Sequence, residues 1–578
     1  MLRILALAAL VWAVPALALG PGDRVEDFRL LDHRGQSHHL YYFGDAPAIV
    51  LMTHGTGCPM VRDALPGLQA LRDAYAPQGV EFFLLNSKDG RDEIAADAER
   101  LGIDLPVLLD PTQLIGESLA VDRTAEVLVI DPATWTIAYR GAAGPAKGAA
   151  GYVKAALDDL LAGRPVQTAR TEAVGCAVEL EHDDAAAHAR ISYSDQIAPI
   201  LIDNCVSCHR PGGIGPWAMT GYEMVRGFAP MIREVIRTQR MPPWHADPAY
   251  GHFANDRRLT EQETRTLVHW IEAGAPRGNG DDPLVAYGEP LPEWGPLGEP
   301  DLIIEIPPTD VPASGVVDYQ YKYVKNPLDR DVWVRASQIL PGDRAALHHV
   351  ITRFGMVETE GPRKGRLRRE GPAGGLSGYV PGWVARELPE GTGTFLPADA
   401  TIEFQMHYTT YGKATTDRSR IGIYFHDEPP EHPIETMIIA NPKIRIPAGA
   451  PAHKEYAERA FETDVLLYSL LPHAHYRGKA SEFRAIYPDG REEVLLSVPN
   501  YDFNWQTTYE LAEPKPLPAG TRIVHSTWWD NSPRNPANPD PTREVPWGEQ
   551  SWDEMLFGAI TYRELEAEER ADLVARRN

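Results

Sequence analysis

Residues 48–75 read AIVLMTHGTGCPMVRDALPGLQALRDAY. The apolar run 48–52 predicts a buried strand, and 65–75 repeats its apolar residues at helical spacing. Cys58 stands between the two. A thiol at a helix N-terminus has its thiolate stabilised by the helix dipole and the free N–H groups there. Outward from this stretch, 80–85, 105–109 and 126–130 are further strand candidates. The β-α-β alternation with later strands predicts an α/β layer fold over 21–165.

The chain has 578 residues, room for several domains. Charged residues make up 24% and hydrophobic ones 43%, a composition that excludes a disordered or collagen-like chain. The net charge of −25 and the lack of a long Lys/Arg run argue against a nucleic-acid partner. The 51 prolines and 49 glycines call for many turns, hence much β structure. Residues 1–18 carry one early cation, Arg3, then an apolar run and Ala16-Leu17-Ala18, the pattern of a cleaved signal peptide. The run is shorter than the ~20 residues a membrane-spanning helix needs. The expected location is therefore periplasmic or secreted, with no membrane span. Of four cysteines, Cys205 and Cys208 are committed by their spacing, so at most one disulfide remains, Cys58–Cys176.

The stretch THGTGCPMVR (53–62), with Pro66 eight residues after Cys58, resembles the redoxin (thioredoxin/peroxiredoxin-like) family. The resemblance covers about 140 residues and implies a thioredoxin-like fold. Val61 replaces the second cysteine of the family's CxxC, and Ala125 replaces its cis-proline. A CxxC disulfide exchanger is therefore not expected. Cys58 is either a redox nucleophile, alone or with Cys176 as a distant resolving thiol, or a remnant in a fold kept for docking.

Residues 166–190 are Ala/Glu/Asp-rich and predict a linker. In 191–278 the motif Cys205-Val-Ser-Cys208-His209 is the c-type haem attachment signature. Its two thiols form thioethers to haem, and the imidazole is an axial iron ligand. A zinc knuckle would need further ligands, and no later cysteine exists. Met241, in RMPPWH (240–245), is the preferred sixth ligand, with Met219, Met224, Met231 and His245 as rivals. A capping box at Thr260–Glu263 opens a closing helix. This block resembles a class I-type cytochrome c domain, which is all-α.

From residue 285 onward short β-branched and aromatic runs alternate with Pro/Gly turns, predicting two β-sandwiches, 285–440 and 441–578. His348 and His349 are adjacent, and with His407 they could form a three-imidazole site. Adjacent residues on a regular strand point to opposite faces, so that site needs an irregular backbone. His473 and His475, at i and i+2, share a face, and Met555 offers a thioether. Imidazole plus thioether favours copper over zinc. Each of these motifs alone is more often structural than ligating.

In order, HH…H…HxH…M resembles the copper type II, ascorbate-dependent monooxygenases, the family of peptidylglycine α-hydroxylating monooxygenase and dopamine β-monooxygenase. The resemblance covers about 330–565. It implies jelly-roll-like sandwiches, an electron-accepting copper on His348, His349 and His407, and an O₂-binding copper on His473, His475 and Met555. It further implies that the two sites face each other across a wet cleft. Leu471 and Ala559 stand where the family has its peptide-binding Arg and Tyr, so a peptide substrate is not expected. The reading is a copper monooxygenase hydroxylating a small organic substrate with O₂. It would use two copper ions, one covalent haem c, and ascorbate or another one-electron reductant as external donor. The fused haem segment keeps an electron carrier at high effective concentration. The competing reading is a thiol/haem electron-transfer or peroxidase-type protein with a non-catalytic copper module.

Overall fold

The structure, a computed structural model, describes residues 19–144, 146–180, 185–290, 292–358, 360, 364–367, 373–380, 387–566 and 569–570. The expected signal peptide, 1–18, lies outside the described residues. The chain divides into two compact units, one ending at Ala187 and the other beginning at His188.

The first unit is built on a five-stranded sheet. Its strands are β1 (Ile49–Thr53), β2 (Glu81–Asn86), β3 (Val107–Leu109), β4 (Glu126–Asp131) and β5 (Thr136–Ala142), in the order β3-β2-β1-β4-β5. The first three are mutually parallel, and β4 and β5 are antiparallel. β1 is buried along its whole length because both faces of the sheet are covered. Val50 and Met52 meet α1 (Pro59–Tyr75) and α2 (Gly151–Leu161) on one face, while Ile49 and Leu51 meet Val25, Phe28 and Leu119 on the other. Period-two alternation within a wholly apolar run thus fills two cores.

The predicted linker differs in its first half. Arg140 N–H donates to Ala169 O (3.0 Å), Thr171 N–H to Arg140 O (3.1 Å) and Val178 N–H to Asp122 O (2.9 Å). Residues 169–178 therefore run along this unit as bonded chain. Their polar composition reflects one exposed face.

The second unit opens with α3 (Ala198–Asn204), α4 (Tyr222–Arg237) and α5 (Glu261–Glu272). The capping box forms at α5, with Thr260 accepting from Glu263 N–H and Glu263 accepting from Thr260 N–H. Among the described residues these helices do not form a unit of their own, and a separate all-α cytochrome c domain is not evident. Trp244, Ala246 and Phe253 enter the hydrophobic core of the C-terminal sandwich. Asn255 bonds to Thr508 O (2.7 Å), and Asp247 N–H donates to Ser497 O (2.8 Å). The loop between α4 and α5 is apolar enough to be buried against strands more than 240 residues away, so the helices and sandwiches form one unit.

The N-terminal sandwich pairs two antiparallel sheets. One holds β6 (Leu302–Glu305), β8 (Val332–Leu340), β10 (Thr392–Leu396) and β12 (Arg420–Phe425); the other holds β7 (Gln320–Lys325), β9 (Leu347–Gly355) and β11 (Thr401–Tyr408). Ile339, Ile421 and Ile423 from the first meet Val350, Phe404 and Met406 from the second. The C-terminal sandwich has β13 (Glu435–Ala440), β15 (Val465–His473), β18 (Tyr509–Leu517) and β20 (Phe557–Glu564) facing β14 (His453–Ala460), β16 (Gly478–Ile486), β17 (Glu492–Val498) and β19 (Arg522–Trp529).

Candidate metal and redox sites

A slip in one ladder places the first histidines. β9 pairs with β11 so that Leu347 faces Tyr408 and His349 faces His407, with an irregularity between Leu347 and His349. One extra residue, His348, is accommodated there, and a bulge re-aims a side chain that regular pleating would turn away. His348 Nδ1 and His407 Nδ1 consequently lie 3.1 and 3.3 Å from His349 Nδ1. Nitrogens sharing one ion at metal–N distances of about 2.0–2.1 Å sit roughly this far apart. All three rings are buried. His348 Nε2 is buried without a partner among the described residues.

His473 ends β15 and faces Phe557 on β20. His475 lies two residues beyond the end of β15, and its N–H donates to Oε2 of Glu554 at 2.8 Å; Met555, the next residue, is half-buried. The His473 and His475 rings are 5.1 Å apart. His473 Nδ1 contacts Gln506 Oε1 at 2.8 Å, and His475 Nδ1 contacts Asp553 O at 3.3 Å. Oxygen acceptors at both Nδ1 atoms put the proton there and leave each Nε2 as a lone pair. His475 Nε2 is buried with no hydrogen-bond partner among the described residues. Holding the remote ring nitrogen in this way fixes tautomer and orientation for metal binding.

The two groups adjoin. The His349 and His473 ring centroids are 6.1 Å apart. Phe503 stacks on His348 at 4.7 Å and stands 6.0 Å from His475, and Tyr319 stacks on His407 at 4.7 Å. All five imidazoles are buried. Burial is the leading cause that pushes His348 and His473 down to about 4 and His407 to about 3, and it holds His349 and His475 well below the usual imidazole range. All five are neutral at pH 7, the state that binds a metal. Neutral imidazoles fit copper, and a thioether such as that of Met555 would favour its Cu(I) state.

Cys205 and Cys208 are free thiols after α3, and burial pushes the Cys205 thiol up to about 12. His209 Nδ1 lies 3.1 Å from Trp217 O, so that nitrogen donates and Nε2 is left to ligate. A Cβ on Gly215 would sit 2.7 Å from His209 Nδ1, so this approach of the loop requires glycine. The set fits a covalently held haem. Met241 is half-buried just beyond α4, and the polar and ring contacts of His209 among the described residues do not include it. Of its rivals, Met219 and His245 are buried, while Met224 and Met231 are exposed on α4.

In the first unit Cys58 is the N-cap residue of α1 and is joined in a disulfide to Cys176, with Cα atoms 6.3 Å apart. Thr124 Oγ1 lies 3.0 Å from Cys58 Sγ and accepts from Cys176 N–H at 3.0 Å. Ala125, next along, has φ +57° and donates its N–H to Thr53 O. A strand, a half-turn carrying the sulfur, a helix and a loop folded back over that sulfur are thus in place.

Residues 21–142 match the AhpC/TSA family. This part of the chain is a redoxin domain. Among curated proteins it is similar to the thiol-disulfide oxidoreductase ResA of Geobacillus thermodenitrificans, 27% identical over 134 residues, which are 22% of this chain and 76% of that protein. ResA of Geobacillus kaustophilus is 26% identical over 114 residues, 20% of this chain and 65% of that protein. Among solved structures, an uncharacterized conserved protein from Geobacillus kaustophilus is 28% identical with a TM-score of 0.26, covering 28% of this chain and 94% of its own. Peroxidoxin BcpB from Mycobacterium tuberculosis is 21% identical with a TM-score of 0.22, covering 25% and 99%.

The redoxin domain also holds residues that sequence reading passed over. His54 is buried, with Nδ1 3.0 Å from Asn86 Nδ2 and Nε2 3.5 Å from Asp97 Oδ2. Burial raises Asp110 to about 6. Thr124 contacts both cysteines, and its only signal was its place before Ala125. Around the imidazoles, Tyr319, Phe503, Gln506 and Ser551 carried no signal, since each acts through a partner distant in the chain.

Proposed function

We propose that this protein is a periplasmic or secreted copper-dependent monooxygenase that hydroxylates a C–H bond of a small organic substrate. The balanced reaction consumes RH, O₂, two electrons and two protons and yields ROH and water. The observation that carries the reading is the convergence of His348 Nδ1 and His407 Nδ1 on His349 Nδ1, at 3.1 and 3.3 Å, across the β9 bulge and beside a second imidazole pair. His348, His349 and His407 would hold one copper, and His473, His475 and Met555 the other. Copper there would supply one-electron transfer and O₂ activation. Haem held by Cys205, Cys208 and His209 would supply an electron relay, with ascorbate or another one-electron reductant as the external source.

The chain's own residues do the rest. Burial keeps five imidazoles neutral. Gln506 and Asp553 O hold the His473 and His475 protons at Nδ1. Phe503 and Tyr319 exclude water, which strengthens electrostatic interactions inside the site. The test is turnover of the copper-loaded, haem-containing chain with ascorbate under ¹⁸O₂. One labelled oxygen in the product is the expected result, and product without label rejects the reading.

A second reading, a thiol-disulfide oxidoreductase, is favoured by the Cys58–Cys176 disulfide in a redoxin domain. Cys58→Ser distinguishes them. Thiol-disulfide exchange would vanish, whereas hydroxylation would survive.

A further inference from the structure

We infer that Glu554 is a positioning residue that locks the turn bearing His475 to the segment bearing Met555. The inference rests on reading His473, His475 and Met555 as a copper site. Glu554 is fully buried, at 0% exposure, and its carboxylate takes three hydrogen bonds. Oε2 accepts from His475 N–H at 2.8 Å and from the Trp529 indole N–H at 3.0 Å, and Oε1 accepts from Arg477 N–H at 2.6 Å.

The geometry has a simple cause. β15 ends at His473, so the next backbone N–H groups have left the sheet ladder while still inside the protein. Buried N–H groups need acceptors. The Tyr501 hydroxyl accepts from Ala474 N–H, and Glu554 accepts from those of His475 and Arg477. Arg477 ties the same two segments in the opposite sense. Its side chain is fully buried, Nη1 donates to Trp552 O at 2.9 Å, and Nε donates to Asn531 Oδ1 at 2.9 Å. One side chain from each segment therefore grips the other's backbone. Glu554 immediately precedes Met555, so its carboxylate sets the thioether-bearing residue and the His475 backbone in one frame.

Loss of an outer-shell partner typically weakens metal binding about 10–100-fold. The experiment titrates the full-length haem-containing chain with Cu(I) against a chromophoric chelator, comparing wild type with Glu554→Gln and Glu554→Ala, and follows sulfur ligation by copper X-ray absorption. Wild type should bind two coppers, one with a sulfur neighbour. Glu554→Ala should weaken one copper about 10–100-fold and lose the sulfur signal while the other copper is retained. Glu554→Gln, which keeps an acceptor oxygen, should fall between, and it decides the question if the alanine variant does not fold. Wild-type affinity and sulfur ligation in the folded variants would overturn the positioning role alone. A wild-type chain that takes up no copper on the pair would overturn the copper reading and this inference together.

Discussion

His349 of the N-terminal sandwich and His473 of the C-terminal sandwich face each other with ring centroids 6.1 Å apart. Five neutral imidazoles are thereby gathered into one buried, aromatic-walled space. They divide by hydrogen bonding into a trio whose Nδ1 atoms converge and a pair whose Nδ1 atoms are held by oxygen acceptors. The division predicts which nitrogen each ring offers.

Single removals should therefore subtract single metals. His407→Ala should lower copper uptake by one and leave the copper on the pair. His475→Ala should do the reverse. Elemental analysis after gel filtration, with Cu(II) electron paramagnetic resonance to identify the remaining site, checks both.

Gln506→Leu removes the acceptor for His473 Nδ1–H without touching a ligand. Copper affinity at the pair should fall about 10–100-fold, and Gln506→Glu should retain most of it. Competition titration with a Cu(I) chelator reads the difference.

Much of this was legible in the chain. The apolar runs around Cys58, the capping box at Thr260 and the CxxCH motif are local signals, and the helix and strand positions followed from them. The need for an irregular backbone at His348–His349 was legible too, because period-two geometry demands it, and the ladder slips at that point. The burial of Trp244 and Phe253 in the C-terminal sandwich was not legible. A loop's destination depends on surfaces hundreds of residues away. The same holds for Gln506, Phe503 and Glu554, whose roles exist only once two sandwiches bring distant segments together. Residues 169–178 read as linker because a strip bonded through its backbone leaves little trace in side-chain pattern.

The Cys58–Cys176 disulfide closes a loop with a sequence separation of 118. Reduction, or Cys176→Ser, should destabilise the redoxin domain by about 2–4 kcal/mol. Hydrogen exchange should show residues 169–178 losing protection before the sheet does. Unchanged exchange in that segment would mean that its backbone bonds alone hold it.

Asp110 is fully buried, accepts from Ser87 Oγ and Gly116 N–H, and is raised by burial from 3.8 to about 6. A folded-state pKa above the unfolded value means the folded chain binds more protons between the two. The stabilisation from this group is complete below pH 3.8 and is lost as pH rises through about 6. The loss is roughly 3 kcal/mol at most. Asp110→Asn should flatten this part of the pH dependence. Hydrogen exchange of Glu81–Asn86, corrected for the intrinsic pH effect, measures it.

The most direct test of the central claim is the metal content of the purified full-length protein, measured together with its visible spectrum. The account predicts two coppers and one covalent c-type haem per chain. A copper-free protein after loading, or a single copper that survives both His407→Ala and His475→Ala, would contradict it.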